Sequence, residues 1–213
     1  MVVLHARAVG GRWYGLACEG EGIVATTVSP SRAKTLRDLR RALPEGVEHR
    51  IDDEGRSDFV GKTIGLLVEL EAGNEENKQF SLAECVRPPL ADVLKVAAAI
   101  PLGYVTSYGS IAKASGSDAR DVGQVMATNP LYPIVPCHRV VGADLSLVGY
   151  FGSKAPEALR AKLDRLSKET RGFDADQDVL VDGRALRVYP VEWAIARARG
   201  QGRADDRQLS LFD

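Results

Sequence analysis

The sequence contains few of the residues that mark several large classes of protein. Only three of its 213 residues are cysteine. They are widely separated, which argues against a disulfide framework and fits a reducing compartment. No apolar run approaches the length of a membrane span, and residues 1–7 lack the pattern of a secretory signal. We therefore expect a cytoplasmic protein that does not enter a membrane.

An excess of positive charge is also missing. The chain has 28 lysines and arginines against 29 aspartates and glutamates, for a net charge of −1. Because many nucleic-acid-binding domains are basic overall, this balance argues against extensive wrapping of DNA. A protein that contacts only a few phosphates needs only a local basic face. The length and the hydrophobic fraction of 45% suffice for one or two compact domains.

The first part of the chain predicts a small domain of strands and helices. Residues 13–18 and 23–28 are rich in β-formers and flank a glycine-containing turn, which is typical of a hairpin. Residues 31–43 begin with a capping serine and suit a helix. Residues 57–72 suit another helix. We therefore expect an α/β N-terminal domain over residues 1–87.

Adjacent prolines, Pro88-Pro89, predict a boundary, after which the apolar period becomes helical. Residues 108–114 and 118–128 predict two short helices joined by a glycine-containing turn. This is the form of a helix-turn-helix motif. We expect a mostly α-helical second domain over residues 88–172.

Two further segments follow this domain. Residues 179–188 predict a hairpin with Asp182-Gly183 at its turn. We therefore treat residues 173–199 as a C-terminal extension. Residues 200–213 begin with a stretch that lacks apolar anchors, and they predict a flexible linker followed by a short tail.

The run Pro136-Cys137-His138-Arg139-Val140 carries the strongest chemical signal of the chain. A thiol reacts as its thiolate, and a neighbouring imidazole can take its proton. An isolated Cys-His pair is more often a buried structural cysteine beside a histidine. The surrounding residues favour a reactive cysteine here.

This run resembles the active-site signature of a known family when its neighbours are included. Asn129-Pro130, Thr106-Ser107-Tyr108 and residues 119–123 precede it, and Gly149-Tyr150-Phe151-Gly152 follows. Over residues 82–170 the chain closely resembles the O6-alkylguanine-DNA alkyltransferases, also called methylated-DNA–protein-cysteine methyltransferases. The resemblance implies a ribonuclease-H-like N-terminal α/β domain and a winged-helix-like C-terminal domain with the helix-turn-helix.

The resemblance also implies a function. The family transfers an alkyl group from O6-alkylguanine in duplex DNA to its own cysteine after base flipping, once per molecule and without a cofactor or metal. By position, Cys137 is the acceptor, His138 acts through water as the base, and Glu169 orients His138. Asn129 shapes the site through a hydrogen-bonded turn. Asp164 stays open as the alternative partner, because the segment before its helix is longer than is usual in the family.

The helix predicted for residues 118–128 has an outward face of small residues with one arginine and one glutamine. Such a face allows a narrow groove to approach the backbone, although it also suits packing against the N-terminal domain. The resemblance implies that this helix enters the minor groove and that Arg120 replaces the extruded base, while Tyr108 helps to rotate the nucleotide. The predicted DNA-binding residues are Tyr108, Arg120, Gly123, Gln124 and Ala127. The predicted pocket residues are Met126, Pro136, Val140, Gly149 and Tyr150.

The remaining cysteines and histidines are His5, Cys18, His49 and Cys85. Some family members bind zinc in the N-terminal domain, but these four residues lack a paired-ligand spacing. We expect ordinary buried or surface roles and no metal. A Cys18–Cys85 disulfide has no support in the pattern either.

The extreme C-terminus resembles the short peptides that bind sliding clamps of DNA replication. Apolar side chains of such peptides fill a groove while a glutamine makes polar contacts. Docking back on the protein itself, or a chance apolar tail, is the alternative. The predicted clamp-binding residues are Gln208, Leu209, Leu211 and Phe212.

Two rival functions remain at this point. One is a non-catalytic sensor that resembles the alkyltransferase-like proteins, which bind alkylguanine but lack the cysteine. The other is a cysteine hydrolase, which would turn over repeatedly. We expect a monomer whose partner is double-stranded DNA containing O6-alkylguanine. In a prokaryote the protein should therefore associate with the nucleoid.

Overall fold

The computed structural model describes residues 1–52, 57–74 and 80–200. The chain folds into two compact units. Each unit combines helices with a four-stranded sheet, so the α/β class expected for the first domain is confirmed.

The division between the units differs from the expected boundary at residue 87. The first unit comprises Met1–Leu94 together with Asn129–Val135. The second comprises Lys95–Thr128 and, among the described residues, 136–200. The boundary lies inside helix α3 (Leu90–Ala98) and not at the prolines. Prolines interrupt hydrogen-bonded elements, but they do not decide against which body the next apolar face packs.

A mixed sheet forms the centre of the first unit. Its strands are β1 (Val2–Val9), β2 (Arg12–Glu19), β3 (Gly22–Ser29) and β4 (His49–Ile51). The order among the described residues is β3-β2-β1-β4, with β4 parallel to β1 and the other pairs antiparallel. The predicted hairpin is present, whereas β4 is too short to have a readable pattern.

Two helices accompany this sheet, and both lie where the sequence predicts them. Helix α1 is Arg32–Ala42 and helix α2 is Asp58–Ala72. The hydroxyl of Ser31 accepts from the Lys34 backbone N–H at 3.3 Å, and that of Ser57 accepts from Val60 N–H at 3.1 Å. Each cap satisfies a backbone donor at a helix start that would otherwise lack a partner.

The segment Asn129–Val135 returns to the first unit through hydrogen bonds. Thr26 donates its backbone N–H to the Pro130 carbonyl at 2.8 Å and its hydroxyl to the Tyr132 carbonyl at 2.9 Å. The Tyr132 hydroxyl donates to Glu71 at 2.6 Å. The bonds from Thr26 join residues more than a hundred positions apart, which no local pattern can predict.

The second unit contains a sheet that the expectation of a mostly helical domain missed. Strands β5 and β6 of this sheet are short, and their partners lie far along the chain, so neither produces an alternating pattern. The order among the described residues is β6-β5-β8-β7. The elements are β5 (Tyr104–Ser107), α4 (Tyr108–Ser115), α5 (Ala119–Thr128), a 3-10 turn (Cys137–Arg139), β6 (Val140–Val141), α6 (Pro156–Lys168), β7 (Gln177–Val181), β8 (Arg184–Pro190) and α7 (Val191–Ala198).

Helices α4 and α5 form the predicted helix-turn-helix. Gly116 ends α4 in the left-handed conformation, with φ of 76°. The carboxylate of Asp118 then accepts from the backbone N–H groups of Arg120 and Asp121, at 2.8 and 2.9 Å. Glycine relieves the steric cost of the turn and aspartate caps the next helix, so the motif is encoded locally.

The segment after residue 172 is part of the second unit's core and not a separate appendage. Val191 and Ala194 of α7 are fully buried against Val105 of β5, Val141 of β6 and Leu166 of α6. Within the described residues, no helix is long and apolar enough to cross a membrane.

Candidate active site around Cys137

Cys137 opens the 3-10 turn that follows Pro136, and it is 4% exposed. Strand β6 follows the turn directly in the chain. It pairs in parallel with β5 through Thr106–Val140 and Ser107–Val141. Strand β5 leads directly into α4. The sheet therefore places the cysteine turn beside the start of the helix-turn-helix.

Among the acidic residues proposed for His138, the structure brings Glu169 to the imidazole. The His138 Nε2 and Glu169 Oε1 atoms lie 2.6 Å apart, and both residues are buried. Glu169 is the residue at which α6 ends. Asp164 is exposed on the same helix.

Arg139 holds the same carboxylate from a second direction. Its Nε donates to Glu169 Oε2 at 2.8 Å, and its Nη2 donates to Oε1 at 3.2 Å. A third N–H, on Nη1, donates to the Ile100 carbonyl at 2.7 Å. This arrangement fixes the carboxylate and compensates its charge inside the protein, as a buried ion requires.

The charges of Glu169, His138 and Arg139 determine which imidazole nitrogen can act as a base. Burial alone would raise the pKa of Glu169, but the hydrogen bond and charge of His138 and those of Arg139 outweigh it and lower the pKa to about 2. The carboxylate is therefore ionised and can only accept, so His138 Nε2 carries the hydrogen. Burial lowers the pKa of His138 to about 4 against the opposing effect of Glu169, so the ring is neutral near pH 7.

The other ring nitrogen, Nδ1, consequently has a lone pair. It is buried and has no hydrogen-bond partner among the described residues. A neutral imidazole with one nitrogen fixed by a carboxylate and the other open is the arrangement of a general base.

Lys162 lies completely buried in α6 behind this site. Its ammonium donates to the Val140 carbonyl at 2.5 Å and to the Gly149 carbonyl at 2.9 Å. Burial lowers its pKa to about 8, and the nearby Cys137 opposes this shift. The lysine joins the strand after the cysteine to the loop that begins at Gly149.

A pocket of about 530 Å³ opens beside Cys137. Several predicted residues line it together with the cysteine: Tyr108, Arg120, Gly123, Met126, Ala127, Gly149 and Tyr150. Of the residues predicted for DNA binding and for the substrate pocket, three are absent from its lining. Pro136 and Val140 are buried in the chain on either side of the cysteine turn, and Gln124 is exposed to solvent on α5.

Tyr108 and Arg120 stand at the pocket with different exposure. Tyr108 is half-buried, and burial, followed by the proximity of Cys137, raises the pKa of its hydroxyl. Its hydroxyl therefore stays protonated near neutral pH. Arg120 is exposed at the start of α5.

The pocket also contains residues to which sequence reasoning gave no role. Phe151, Ser153 and Lys154 belong to the loop after Gly149, and the Phe151 ring lies 4.4 Å from that of Tyr150. Arg139 was equally overlooked, although it belongs to the motif. A charged residue inside an apolar run is a readable signal, because its burial requires a counter-charge.

The structure places Asn129 in the first unit and not in the unit that carries the cysteine. Its side-chain N–H donates to the Val135 carbonyl at 2.8 Å, and its oxygen accepts from Leu131 N–H at 3.2 Å. The predicted hydrogen-bonded turn is therefore present over residues 129–135.

The residues weighed as metal ligands do not come together. Cys18 and Cys85 are both free thiols. Among the described residues, no group of three or more His, Cys, Asp or Glu side chains could hold a metal ion. The predicted clamp-binding residues lie outside the described part of the chain.

A comparison with protein families matches the part of the chain that carries the site. A family model described as "6-O-methylguanine DNA methyltransferase, DNA binding domain" matches residues 89–171. A methylated-DNA–protein-cysteine methyltransferase of Mycobacterium leprae is 32% identical over 159 residues, which cover 70% of this chain and 86% of the relative. A protein of the same name from Pyrobaculum aerophilum is 57% identical over 53 residues, which cover 25% of this chain and only 36% of the relative.

Solved structures give similar results. An O6-methylguanine-DNA methyltransferase from the archaeon Pyrococcus kodakaraensis superposes with a TM-score of 0.55 at 27% identity, covering 78% of this chain and 98% of that one. The Mycobacterium tuberculosis protein OGT, solved in complex with DNA, superposes with a TM-score of 0.54 at 26% identity, covering 79% and 92%.

Proposed function

This chain belongs to the family of methylated-DNA–protein-cysteine methyltransferases, and we propose that it transfers the alkyl group of O6-alkylguanine in DNA to its own Cys137. The observation that carries the assignment to this residue is the buried His138–Glu169 pair directly behind a cysteine that lines a pocket. Within the described residues, neither Cys18 nor Cys85 lies beside such a pair. For Cys18, burial raises the thiol pKa to about 11, which leaves almost no thiolate near neutral pH.

The chemistry follows from the protonation states. The open Nδ1 of His138 draws the proton of Cys137 through a water molecule, and Glu169 stabilises the imidazolium that forms. The thiolate attacks the alkyl carbon in line, a C–S bond forms, and the C–O6 bond breaks with its electrons passing to the purine. A proton then neutralises the released guanine, and the Tyr108 hydroxyl at the pocket is a suitable donor.

The product at Cys137 is a thioether. It has no activated carbonyl, so water has no easy route to release the alkyl group, in contrast to an acyl-enzyme. We therefore expect each molecule to react once. A non-catalytic alkylguanine sensor is the less favoured function, because such a sensor has no use for a cysteine in this arrangement.

We further propose that α5 enters the minor groove of duplex DNA and that Arg120 occupies the space left by the flipped nucleotide. The exposed position of Arg120 at the mouth of the pocket supports this, as do the small residues Gly123 and Ala127 on the same face. A side chain that fills the vacated stack is a recurrent device in base flipping. In this proposal the second unit is winged-helix-like and the first is ribonuclease-H-like.

The proposal also covers the partners and the location. The chain acts as a monomer in the cytoplasm, where its DNA substrate lies. Residues 208–212 tether it to a sliding clamp, which raises its local concentration on DNA without changing the chemistry. The sequence supports the tether through its Gln-Leu-x-Leu-Phe pattern at the end of a polar linker.

The test is the intact mass of the protein after incubation with duplex DNA containing O6-methylguanine. We expect the addition of one methyl group, located on Cys137 by peptide mapping, and no addition to Cys137→Ala. Methylation of another cysteine would refute the assignment of the acceptor. Repeated turnover would refute the single-use mechanism.

A further inference from the structure

The hairpin of β7 and β8 lies beyond residue 171, where the match to the DNA-binding family model ends. Its two turn residues, Asp182 and Gly183, both have left-handed φ angles, of 49° and 77°. This is the conformation of a tight two-residue hairpin turn, whose twist matches that of the strands. The five residues of β7 pair in continuous register with β8, from Gln177–Val188 to Val181–Arg184.

The hairpin is fixed to the helix-turn-helix through strand β5. Tyr104 and Val105 pair with Pro190 and Tyr189 of β8, and the Thr106 hydroxyl donates to the Arg187 carbonyl at 2.5 Å. The inward side chains of β8 are fully buried. The hairpin is therefore a rigid part of the unit that carries α4 and α5.

Its turn end reaches the connection between those two helices. The Arg184 guanidinium donates from Nη1 to the carbonyl of Ala114, in the last turn of α4, at 3.3 Å. A Cβ atom at Gly116 would lie only 2.9 Å from the same Nη1, so the contact is close. Since α5 begins two residues after Ser117, the hairpin tip stands beside the start of the helix that carries Arg120.

The two arginines of β8 have different kinds of partner. Arg187, near the base, is held by the carboxylates of Asp176 and Asp178. Arg184, at the tip, contacts a carbonyl oxygen and has no carboxylate partner among the described residues. No described carboxylate therefore compensates its charge, and the two helices beside it carry the exposed side chains of Lys113 and Arg120.

We propose that the β7–β8 hairpin is a wing that contacts the sugar-phosphate backbone of duplex DNA beside α5, with Arg184 binding a phosphate. The inference rests on the proposed function, because it takes duplex DNA as the partner. The wing adds a backbone contact that positions the helix without reading sequence. It also gives a chain of net charge −1 a local basic face next to its groove-binding helix.

The experiment measures the affinity of the full chain for a short fluorescent duplex over a series of salt concentrations. For Arg184→Gln we expect affinity about fivefold to tenfold weaker near 0.1 M salt, and a salt slope smaller by about 0.9, the value for one lost phosphate contact. Arg184→Lys should recover the slope, because it keeps the charge. Arg187→Gln is the matched control on the same strand, and it should leave the slope unchanged.

A second readout separates a DNA contact from a structural role. Methyl transfer from free O6-methylguanine to Cys137 should be the same for wild type and Arg184→Gln. An unchanged salt slope in Arg184→Gln would overturn the proposal and favour a protein partner for this hairpin, where Leu180 is 75% exposed. Equal slope losses in Arg184→Gln and Arg187→Gln would also overturn it. If the wild type itself transfers no methyl group from DNA, the proposed function fails instead.

Discussion

The imidazole of His138 and the carboxylate of Glu169 lie 2.6 Å apart, although 31 positions separate them in the chain. Glu169 follows the last residue of α6, and Arg139 donates two N–H groups to the same carboxylate. One buried glutamate thus serves both residues that follow the reactive cysteine. Stability, acid sensitivity and alkyl transfer should therefore all depend on this glutamate.

Removing the charge of Glu169 should damage both stability and transfer. Glu169→Gln removes one partner of the buried ion pair with Arg139, so we expect a loss of about 3–5 kcal/mol in the free energy of unfolding. The methyl-transfer rate should fall as well, because His138 loses its orienting acceptor. Urea denaturation and single-turnover kinetics measure the two effects. Asp164→Asn, on the exposed side of the same helix, should change stability by no more than about 0.5 kcal/mol; the reverse ranking would make Asp164 the partner.

Acid should destabilise the protein through His138. Burial holds the pKa of this ring near 4 in the folded state, below its ordinary value of 6.5. Between these values the unfolded chain binds a proton that the folded chain does not, so stability decreases as pH falls through this window. Glu169 extends the loss below its ordinary pKa of 4.5, because its folded pKa is about 2.

The measurement for this prediction is the urea midpoint near pH 7 and near pH 5. The wild type should lose stability between the two, and His138→Gln should lose less, since its side chain does not titrate. Equal losses in both proteins would show that other groups carry the acid sensitivity.

Arg120→Ala should slow repair of duplex DNA much more than reaction with the free base. Without the side chain, the gap left by the flipped nucleotide is unfilled, and unstacking costs a few kcal/mol, or roughly 10- to 100-fold in rate. Single-turnover transfer to Cys137 from methylated duplex and from free O6-methylguanine gives the comparison. Arg160→Ala, an exposed arginine on α6, is the control. Equal slowing with both substrates would remove the wedge role of Arg120.

Lys162→Met should weaken the fold around the pocket. The substitution keeps the volume of the chain but leaves the carbonyls of Val140 and Gly149 without their donor, at a cost of about 1–3 kcal/mol for each. Transfer should also slow, because Gly149 lines the pocket. Thermal unfolding and transfer rates test this against Lys168→Met, which removes an exposed lysine of the same helix. A stable, fully active Lys162→Met protein would contradict it.

Deleting residues 208–213 should abolish binding to the host's sliding clamp and leave the chemistry intact. The paired change of Leu211 and Phe212 to Ala should do the same, because these side chains are expected to fill the groove. Surface plasmon resonance on immobilised clamp measures binding, and methyl transfer on a short oligonucleotide measures the chemistry. Retained clamp binding, or unfolding of the truncated chain, would favour the alternative in which the tail docks on its own protein.

The sequence predicted those parts of the fold whose signals are local. Helices α1, α4 and α5 begin and end near the residues that Ser31, Gly116 and Asp118 indicate, since caps act within one turn. The hairpin around Asp182-Gly183 was predicted for the same reason. Strands β4, β5 and β6 were missed, because a strand of two to four residues has no pattern of its own and forms only against a distant partner.

The candidate site likewise has features that local sequence predicts and features that depend on distant contacts. The sequence by itself determined that Cys137 and His138 are adjacent and that a helix-turn-helix with Arg120 precedes them, because covalent neighbours and helical periodicity are properties of the chain alone. Only the tertiary structure decided that Glu169 and not Asp164 meets His138. It also decided that the buried Arg139 and Lys162 donate to the carbonyl oxygens of Ile100 and Val140. Which carboxylate reaches an imidazole depends on how α6 packs against the cysteine turn, and packing is a sum over distant contacts that no single segment contains.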